Sequence, residues 1–371
     1  MSATLDKDRF AAYWGRSTPT MHIPGRTFPV IDHTLEDVLA LTRYIPPKRQ
    51  NGKSLFRKNS SGPTEEIENG EAAGSTEKDR EPGAKGTVDS ASIDEFVKLI
   101  DESSIDYNLL GSLVKHLLSS ECQIEDGSIL VFLPGAGEIN EAMGVIKRMT
   151  KDLPVFILPL HGGLQSREQN RVFQPPPHGL RKIVLATNIC ETSVTIPDCT
   201  IVIDTAREKQ SSYDPANRMP MLVEQFASRA SLEQRRGRAG RVREGFCFKL
   251  ISTSTLTRLA RHSEPEIRRC ALDQTLLALI YLGVEDGAGS FFRTLLDPPS
   301  AMSVQAAKYS LLKLGAVEAN ESGEFTLKIT PLGLHLAQIP APPRVGKSKF
   351  LTCLVDLHLF SLTCLNLFIY Y

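Results

Sequence analysis

The chain has 371 residues, of which 41% are hydrophobic, and this is enough for two or three domains with their own cores. Lys and Arg together number 43, as do Asp and Glu, so the formal net charge is zero and any basic binding surface must be local. The seven cysteines form no CxxC pairs, so neither a zinc site nor a disulfide framework is indicated, and reduced, mostly buried thiols are expected.

The first third of the chain is predicted to hold isolated elements around a polar insertion. From about 46 to 90, Gly, Ser, Glu, Lys, Asn and Pro dominate and apolar residues are too few for a core, which predicts a flexible insertion. Helical or extended patterns flank it: a helix around Arg9–Tyr13, an extended run over Met21–Ile31, and helices at Leu35–Tyr44, Ser92–Ile100 and Leu109–Leu118.

Apolar strands and helices then alternate, which predicts a parallel sheet covered on both faces. The predicted strands are Ser128–Leu133, Val155–Leu160, Lys182–Thr187 and Cys199–Asp204. One helix is predicted at Gly137–Met149, and a capping box of Ser166 and Gln169 predicts the start of another that runs through Phe173. Ligands of such sheets bind at the carboxyl ends of the strands, so the loops at Pro134–Gly137, His161–Gly163, Thr187–Asn188 and Asp204–Arg207 are candidate sites.

The remainder is predicted to form a hairpin, a strand and a small helical unit. Two extended pieces flank a turn in Arg207–Phe226, and an apolar strand follows at Gly245–Ile251. Helices are predicted at Thr255–Arg261, Glu264–Leu282, Ala288–Leu296, Ser303–Leu314 and Thr330–His335, with a strand at Phe325–Ile329. Helices with a short β wing favour a winged-helix-like domain.

The C-terminal segment Phe350–Tyr371 is apolar and nearly long enough to span a bilayer. Asp356 and His358 lie inside it, and both would be costly in hydrocarbon. A buried or mispacked helix is therefore favoured over a membrane anchor.

The most distinctive stretch is Ser231–Arg241, which is rich in arginine and glycine. A solvated basic run and a nuclear-localisation tract are two alternatives, but an apolar strand follows at once and embeds the stretch in a fold. If Ser231–Arg238 is helical, Gln234 and Arg238 share one face, whereas Arg235 and Arg236 point elsewhere. Such a set suits the stabilisation of charge on a transferring phosphoryl group.

Other candidate chemistry is weaker. Ala341–Ser348 ends in Gly-Lys-Ser like a phosphate-binding loop, but Pro342 and Pro343 lack the N–H groups that such a loop uses, and a helix rather than a strand is predicted before it. No carboxylate pair for magnesium and no Ser/His/Asp or Cys/His set is evident. His161 is favoured as a turn residue over a catalytic one, and Phe173 as a packing residue.

Several of these stretches together resemble the motifs of the DEAH-box RNA helicases, in the family's order. The matching segments are Ser2–Thr4 (motif III), Ile23–Val30, Ile129–Ile139 (motif IV), Leu160–Leu164 (motif IVa), Ala186–Ile196 (motif V), Gln234–Arg241 (motif VI), and Pro265–Ile267 with Asp297–Pro299 in the winged helix. The resemblance covers nearly everything up to about 347. It implies a RecA-like parallel α/β sheet with helices on both faces, followed by a mostly helical winged-helix domain.

The resemblance also implies roles for single residues and a cofactor, ATP with Mg²⁺. Gln234, Arg238 and Arg241 would contact the nucleotide phosphates, the arginines as fingers. Phe173 would stack on the adenine and Thr195 would lie near the nucleotide; Thr187, Asn188, His161, Gly162 and Gly163 would hold the RNA backbone; Ser2 and Thr4 would couple hydrolysis to strand movement. RNA is the implied partner, with the small ribosomal subunit or another ribonucleoprotein as a finer alternative, and no membrane is expected.

The match predicts a remnant of the first RecA-like domain at 1–18, a second RecA-like domain at 19–252, a winged helix at 253–332, and the start of a ratchet helix with a divergent tail at 333–371. The family's phosphate loop and magnesium-binding Asp-Glu-Ala-His box are not in the sequence. We therefore expect a helicase fragment that is inactive alone, located in the cytoplasm or alternatively the nucleus. The rival interpretations are a non-catalytic RNA- or ribosome-binding module and a membrane-anchored protein.

Overall fold

The computed structural model describes residues 7–15, 18–21, 28–47, 90–119, 127–192, 196–217, 219–284, 289–319 and 327–352. Ser2, Thr4 and Thr195, most of the predicted insertion at 46–90, and the tail from 353 lie outside the described residues.

A six-stranded parallel sheet organises the larger part of the chain. Its strands are β1 (Val30–His33), β2 (Ser128–Phe132), β3 (Val155–Leu160), β4 (Arg181–Ala186), β5 (Cys199–Asp204) and β8 (Gly245–Lys249), in the order β1-β8-β5-β2-β4-β3. Every neighbouring pair is parallel. All residues of β2 and β5 are buried, as expected of central strands covered on both faces. The four strands predicted between 128 and 204 are confirmed.

Helices cover both faces of this sheet. They are α2 (Leu35–Thr42), α3 (Ser90–Leu99), α4 (Tyr107–Leu117), α5 (Ala136–Met149), α6 (Ser166–Gln169), α7 (Ile189–Thr192) and α8 (Arg229–Arg236). The first helix, α1 (Lys7–Trp14), instead contacts the C-terminal part, where Arg9 pairs with Asp297. One face packs on a core that includes Leu110, Leu113, Ile146 and Phe248, and the other on a core that includes Leu160 and Val172.

The predicted capping box at Ser166 is wrong. Gln165 is the N-cap of α6 and makes no side-chain capping bond, while Gln169 donates its side-chain N–H to the carbonyl of Leu164. After one turn the segment tightens into a 3₁₀ helix at Asn170–Phe173.

The predicted hairpin is confirmed. Strand β6 (Arg207–Asp214) pairs with β7 (Met219–Phe226) in antiparallel register from Arg207 opposite Phe226 to Asp214 opposite Met219. The start of β6 is buried whereas most of β7 is exposed, so the hairpin projects from the sheet.

The C-terminal part builds a separate core from short helices and a two-stranded sheet. Its elements are α10 (Glu266–Arg269), α11 (Asp273–Tyr281), α12 (Ser290–Arg293), α13 (Ala301–Leu314), β9 (Val317–Ala319), β10 (Leu327–Ile329) and α14 (Pro331–Gln338), followed by a helix at 343–352. The preceding helix α9 (Thr253–Arg258) packs through Leu256 in another cluster, with Leu232 of α8 and Ile251. The core includes Leu276, Leu311 and Leu336. Strands β9 and β10 pair as a wing.

Two helix predictions in this part are wrong in extent. The continuous helix expected over Glu264–Leu282 is split into α10 and α11 because Cys270 adopts an extended conformation between them. The helix expected over Ala288–Leu296 is the single turn α12, whose N-cap Gly289 has a left-handed φ of 82°.

Candidate nucleotide and RNA site

The arginine-rich stretch is only partly helical. Ser228 caps α8 by accepting a hydrogen bond from the N–H of Ser231, and the helix ends at Arg236 with Gly237 as its C-cap. The N–H of Arg238 then bonds to the carbonyl of Arg235 in a tight turn. The condition under which Gln234 and Arg238 would share a helical face, a helix through Arg238, is therefore not met, because α8 ends at Arg236.

Arg235 is the most deeply buried charged residue of the stretch, with 1% of its surface exposed. Its guanidinium donates to three carboxylates from three elements: Glu191 on α7 (3.0 Å), Asp204 at the end of β5 (3.1 Å) and Glu208 on β6 (3.2 Å). It also lies 5.2 Å from the ring centroid of Phe132. One side chain thus joins motif V, the sheet and the hairpin.

The charges in this cluster shape each other. Burial raises the pKa of Glu208, and the attraction of Arg235 offsets this only in part. For Arg235 burial opposes the charge, but the carboxylates of Asp204, Glu191 and Glu208 outweigh burial and raise the pKa of the guanidinium. The arginine therefore stays ionised at any ordinary pH.

Arg236 connects the same helix to the edge strand β1. It pairs with Asp32 (2.7 Å) and donates to the carbonyl of Val30 (2.9 Å). Further along, the N–H of Phe28 donates to the carbonyl of Gly240 (2.8 Å). Strand β1 was predicted only as part of an extended run, and the structure shows that β1 contacts Arg236 while Phe28, just before it, contacts Gly240.

Beyond Gly237 the arginines sit differently. Arg238 is 6% exposed and donates to the backbone carbonyl of Glu191 in motif V. Burial, and after it the positive charge of Arg241, lowers the pKa of Arg238. Arg241 is exposed and Gln234 is half-buried. Two guanidinium groups near enough to repel each other form a surface that a phosphate group would stabilise.

Phe173 ends the 3₁₀ helix with 42% of its surface exposed, whereas its neighbour Val172 is fully buried. Of the two packing roles expected for Phe173, core or helix end, the core role is contradicted, because Val172 and not Phe173 lies in the core. An exposed phenyl ring on a fixed backbone offers a face on which a planar base can stack.

The residues assigned to RNA lie on two adjacent loops. His161, Gly162 and Gly163 follow β3, and Thr187 and Asn188 follow β4. The N–H of Thr187 donates to the carbonyl of Leu160 (3.1 Å), and the N–H of Gly163 donates to the Nδ1 of His161 (3.2 Å). Both glycines are exposed, so their backbone is open to a ligand.

The ion-pair cluster of Arg235 with Glu191, Asp204 and Glu208 was not predicted, although Asp204 begins a predicted candidate loop and Glu191 lies in the motif V segment. A signal for them existed. Asp204 ends a fully buried strand and Glu208 follows four residues later, and buried carboxylates require a cation. Nothing in the sequence alone, however, specifies which of the arginines supplies it.

The Gly-Lys-Ser segment is not a phosphate-binding loop. Residues 343–352 are helical, the segment before them is the helix α14, and the ammonium of Lys347 donates to the carbonyl of Leu314 (2.7 Å). Within the described residues, no group of three or more His, Cys, Asp or Glu is placed to hold a metal ion. The described helices also include none of the length and apolarity needed to cross a bilayer.

Comparison with known proteins agrees with the fold and the motifs. Residues 110–243 match the helicase conserved C-terminal domain. The chain is 36% identical over 352 residues to the ATP-dependent DNA/RNA helicase DHX36 of Bos taurus, and 36% identical over 352 residues to the DExH-box ATP-dependent RNA helicase DExH1 of Arabidopsis thaliana. Each comparison covers 94% of the chain and 34% of the relative, so the chain spans about a third of these proteins.

Two solved structures of the Escherichia coli helicase HrpB, described as a DExH-box NTPase and as a DEAH/RHA helicase, are similar at 29% identity. The TM-scores are 0.63 and 0.66, with 94% of the chain and 33% and 34% of the solved chains covered. The parallel α/β sheet is therefore RecA-like. The mostly helical part that follows it in the chain, with β9 and β10 as its wing, has the arrangement of a winged-helix domain.

Proposed function

Because the chain belongs to the DEAH/DExH-box family of ATP-dependent helicases, we propose that it forms the second RecA-like unit (19–252) and the winged helix (253–332) of an ATP-dependent RNA helicase. In this proposal the complete enzyme couples ATP hydrolysis to movement along RNA in the cytoplasm, with the nucleus as the alternative compartment. This chain contributes one side of the nucleotide site and part of the RNA track.

The observation that carries the proposal is the bond from Arg238 to the carbonyl of Glu191. Arg238 belongs to the stretch proposed to meet phosphate. Glu191 lies on α7, which begins one residue after Asn188, a proposed RNA contact. In this proposal the bond links the phosphate side to the RNA side through one helical turn, and a motor driven by ATP requires such a link.

On the nucleotide side, Gln234, Arg238 and Arg241 would contact the phosphates, with the two arginines stabilising the charge that builds up on the transferring group. The exposed ring of Phe173 would stack on adenine, and Thr195 would lie near the nucleotide. The family places the magnesium ligands in a first RecA-like domain. Ser2 and Thr4 would couple hydrolysis to strand movement.

On the RNA side, Thr187, Asn188 and the loop His161, Gly162 and Gly163 would hold the sugar-phosphate backbone. Contacts of this kind carry little sequence information, which suits translocation along varied RNA. The small ribosomal subunit or another ribonucleoprotein is our proposal for the setting in which the RNA is met.

ATP turnover tests the arginine roles. The purified chain alone should hydrolyse ATP no faster than buffer, whereas the same chain fused behind the first RecA-like domain of a relative should turn ATP over. In the fusion, Arg241→Ala should lower kcat by about 1,000-fold or more. Arg243→Ala, an exposed arginine two residues further on, is the matched control and should leave kcat nearly unchanged.

Three results would contradict this. Turnover by the chain alone that is lost in Lys347→Ala would restore the phosphate-loop interpretation. An active fusion with equal kcat in Arg241→Ala and wild type would remove the finger role. Tight binding of single-stranded RNA by the chain alone, with a steep salt dependence and no turnover in the fusion, would favour the non-catalytic RNA-binding module.

A further inference from the structure

Lys182 is a buried lysine that no part of the proposed mechanism uses. It is the second residue of β4 and only 1% of its surface is exposed. Its ammonium donates to the carbonyls of Val172 (2.9 Å) and Gln174 (3.1 Å) and pairs with a carboxylate oxygen of Asp198 (2.8 Å). Two of the three N–H donors of the ammonium are therefore used by backbone carbonyls, while the Asp198 carboxylate balances its charge as an ion pair without a hydrogen bond to that oxygen. A buried cation held by two carbonyls and a counter-charge has a defined position.

The two carbonyls bracket Phe173, the exposed aromatic ring of the proposed adenine contact. With both neighbouring carbonyls turned to the same buried ammonium, the backbone at Phe173 is fixed on both sides while its ring faces outward. Pro175, Pro176 and Pro177 follow at once. Proline has no N–H, so this run cannot be held by donating to a strand or a helix. The Lys182 ammonium instead holds the residues just before the prolines, by donating to the carbonyls of Val172 and Gln174.

The third partner belongs to a different part of the chain. Asp198 directly precedes β5, and its backbone carbonyl accepts from the N–H of Ser128 at the start of β2 (2.7 Å). Asp198 is therefore anchored to the sheet. It also lies three residues after Thr195, the other residue proposed to lie near the nucleoside.

We propose that Lys182 is a positioning residue that ties the backbone on both sides of Phe173 to Asp198, directly before β5, so that the aromatic ring is held in a fixed position for the adenine part of the nucleotide. The contacts of Lys182 with Val172, Gln174 and Asp198, which we call the clip, form without any ligand. The ligand class, an adenine nucleotide, rests on the proposed function.

Hydrogen exchange of the nucleotide-free chain tests the clip. In Lys182→Met the side chain keeps its length but loses its donors, and the amides of Phe173 and Gln174 should exchange about tenfold faster. The matched control is Ile183→Ala, the next residue of β4, which is fully buried in the core on the other face of the sheet. It should destabilise the whole sheet without selective acceleration at residues 173 and 174.

Asp198→Ala keeps the two carbonyl bonds and removes the anchoring charge, so it should accelerate the same amides by about threefold. If Lys182→Met does not fold, the Asp198→Ala variant tests the positioning role of Lys182 in its place. Unchanged exchange at Phe173 and Gln174 in folded Lys182→Met, or in Asp198→Ala where the former is unfolded, would overturn the proposal. Acceleration equal to that of Ile183→Ala would overturn it as well, because the effect would then be global.

Failure of the proposed function gives a different result. If Phe173→Ala in the ATP-hydrolysing fusion leaves KM for ATP unchanged, adenine stacking on Phe173 is wrong, while the exchange result for Lys182 still stands. If both hold, Lys182→Met should raise KM for ATP severalfold with little change in kcat, since it displaces a binding surface and touches no phosphate contact.

Discussion

The arginines in the two halves of the arginine stretch lie in different surroundings. Before Gly237, Arg235 is enclosed by three carboxylates and Arg236 is tied to β1. After Gly237, Arg238 gives a bond to a backbone carbonyl and Arg241 is exposed. A guanidinium surrounded by carboxylates is already neutralised. In the second half, burial and then the positive charge of Arg241 lower the pKa of Arg238, and the negative charge of a phosphate would oppose this effect.

The difference lies in what the rest of the fold brings to each half. Glu191, Asp204 and Glu208 come from a helix, a strand end and a hairpin that precede Arg235 by 44, 31 and 27 residues, and all three meet around its guanidinium. The first half thus sets the position of α8. The second half follows directly from α8, so the position of the helix also fixes the backbone that carries Arg238 and Arg241, the proposed phosphate contacts.

Loss of Arg235 should give the largest effect. Arg235→Met leaves three carboxylates around an apolar side chain, and breaking a buried ion pair from one side costs about 3–5 kcal/mol. We expect the free energy of unfolding, measured with urea, to fall by that amount. Arg241→Ala, six residues later and exposed, is the control and should change it by no more than about 0.5 kcal/mol. Equal losses in both variants would erase the distinction between the two halves.

The two glycines of the stretch sharpen the comparison. A Cβ on Gly240 would lie 2.6 Å from the carbonyl oxygen of Phe28 and 2.7 Å from the Val30 side chain, whereas one on Gly237 would come no nearer than 3.4 Å to any atom. Gly240→Ala must therefore push β1 away and should cost about 1–3 kcal/mol. Gly237→Ala should stay within about 0.5 kcal/mol of wild type.

Urea unfolding of both alanine variants gives the energies, and hydrogen exchange at Val30–His33 gives the location. Faster exchange in β1 is expected for Gly240→Ala alone. Tolerance of alanine at Gly240 would show that the stretch does not need its close approach to β1.

The parallel sheet was predictable because its strands are continuous apolar runs, and the hairpin because a turn cluster separates two extended pieces. Strand β1 was not, since it is short, lies at the edge and contains the polar residues Asp32 and His33. The end of α8 at Arg236 was also missed, because helical periodicity continues through Arg238 in the sequence. The ion pairs of Arg235 depend on tertiary contacts that no local pattern contains.

Acidity should give the smallest effect, and it probes the buried half alone. Burial raises the native pKa of Glu208 above its ordinary value of 4.5, so the native state binds this proton more readily than the unfolded chain does. Stability from this group therefore increases as the pH falls through the native pKa and levels off below 4.5.

Glu208→Gln removes the titration but keeps an acceptor for Arg235. Relative to wild type, this variant should be more stable at neutral pH than at pH 5, by about 1 kcal/mol or less. The measurement is the difference in urea unfolding free energy between the two proteins across this pH range, since other carboxyl groups cancel in the difference. The prediction is contradicted if the stability of Glu208→Gln relative to wild type is constant with pH or grows as the pH falls. Arg235 would then favour the ionised form of Glu208 at least as strongly as burial opposes it. The two halves of the stretch would differ in position, but burying the charges around Arg235 would carry no net electrostatic penalty.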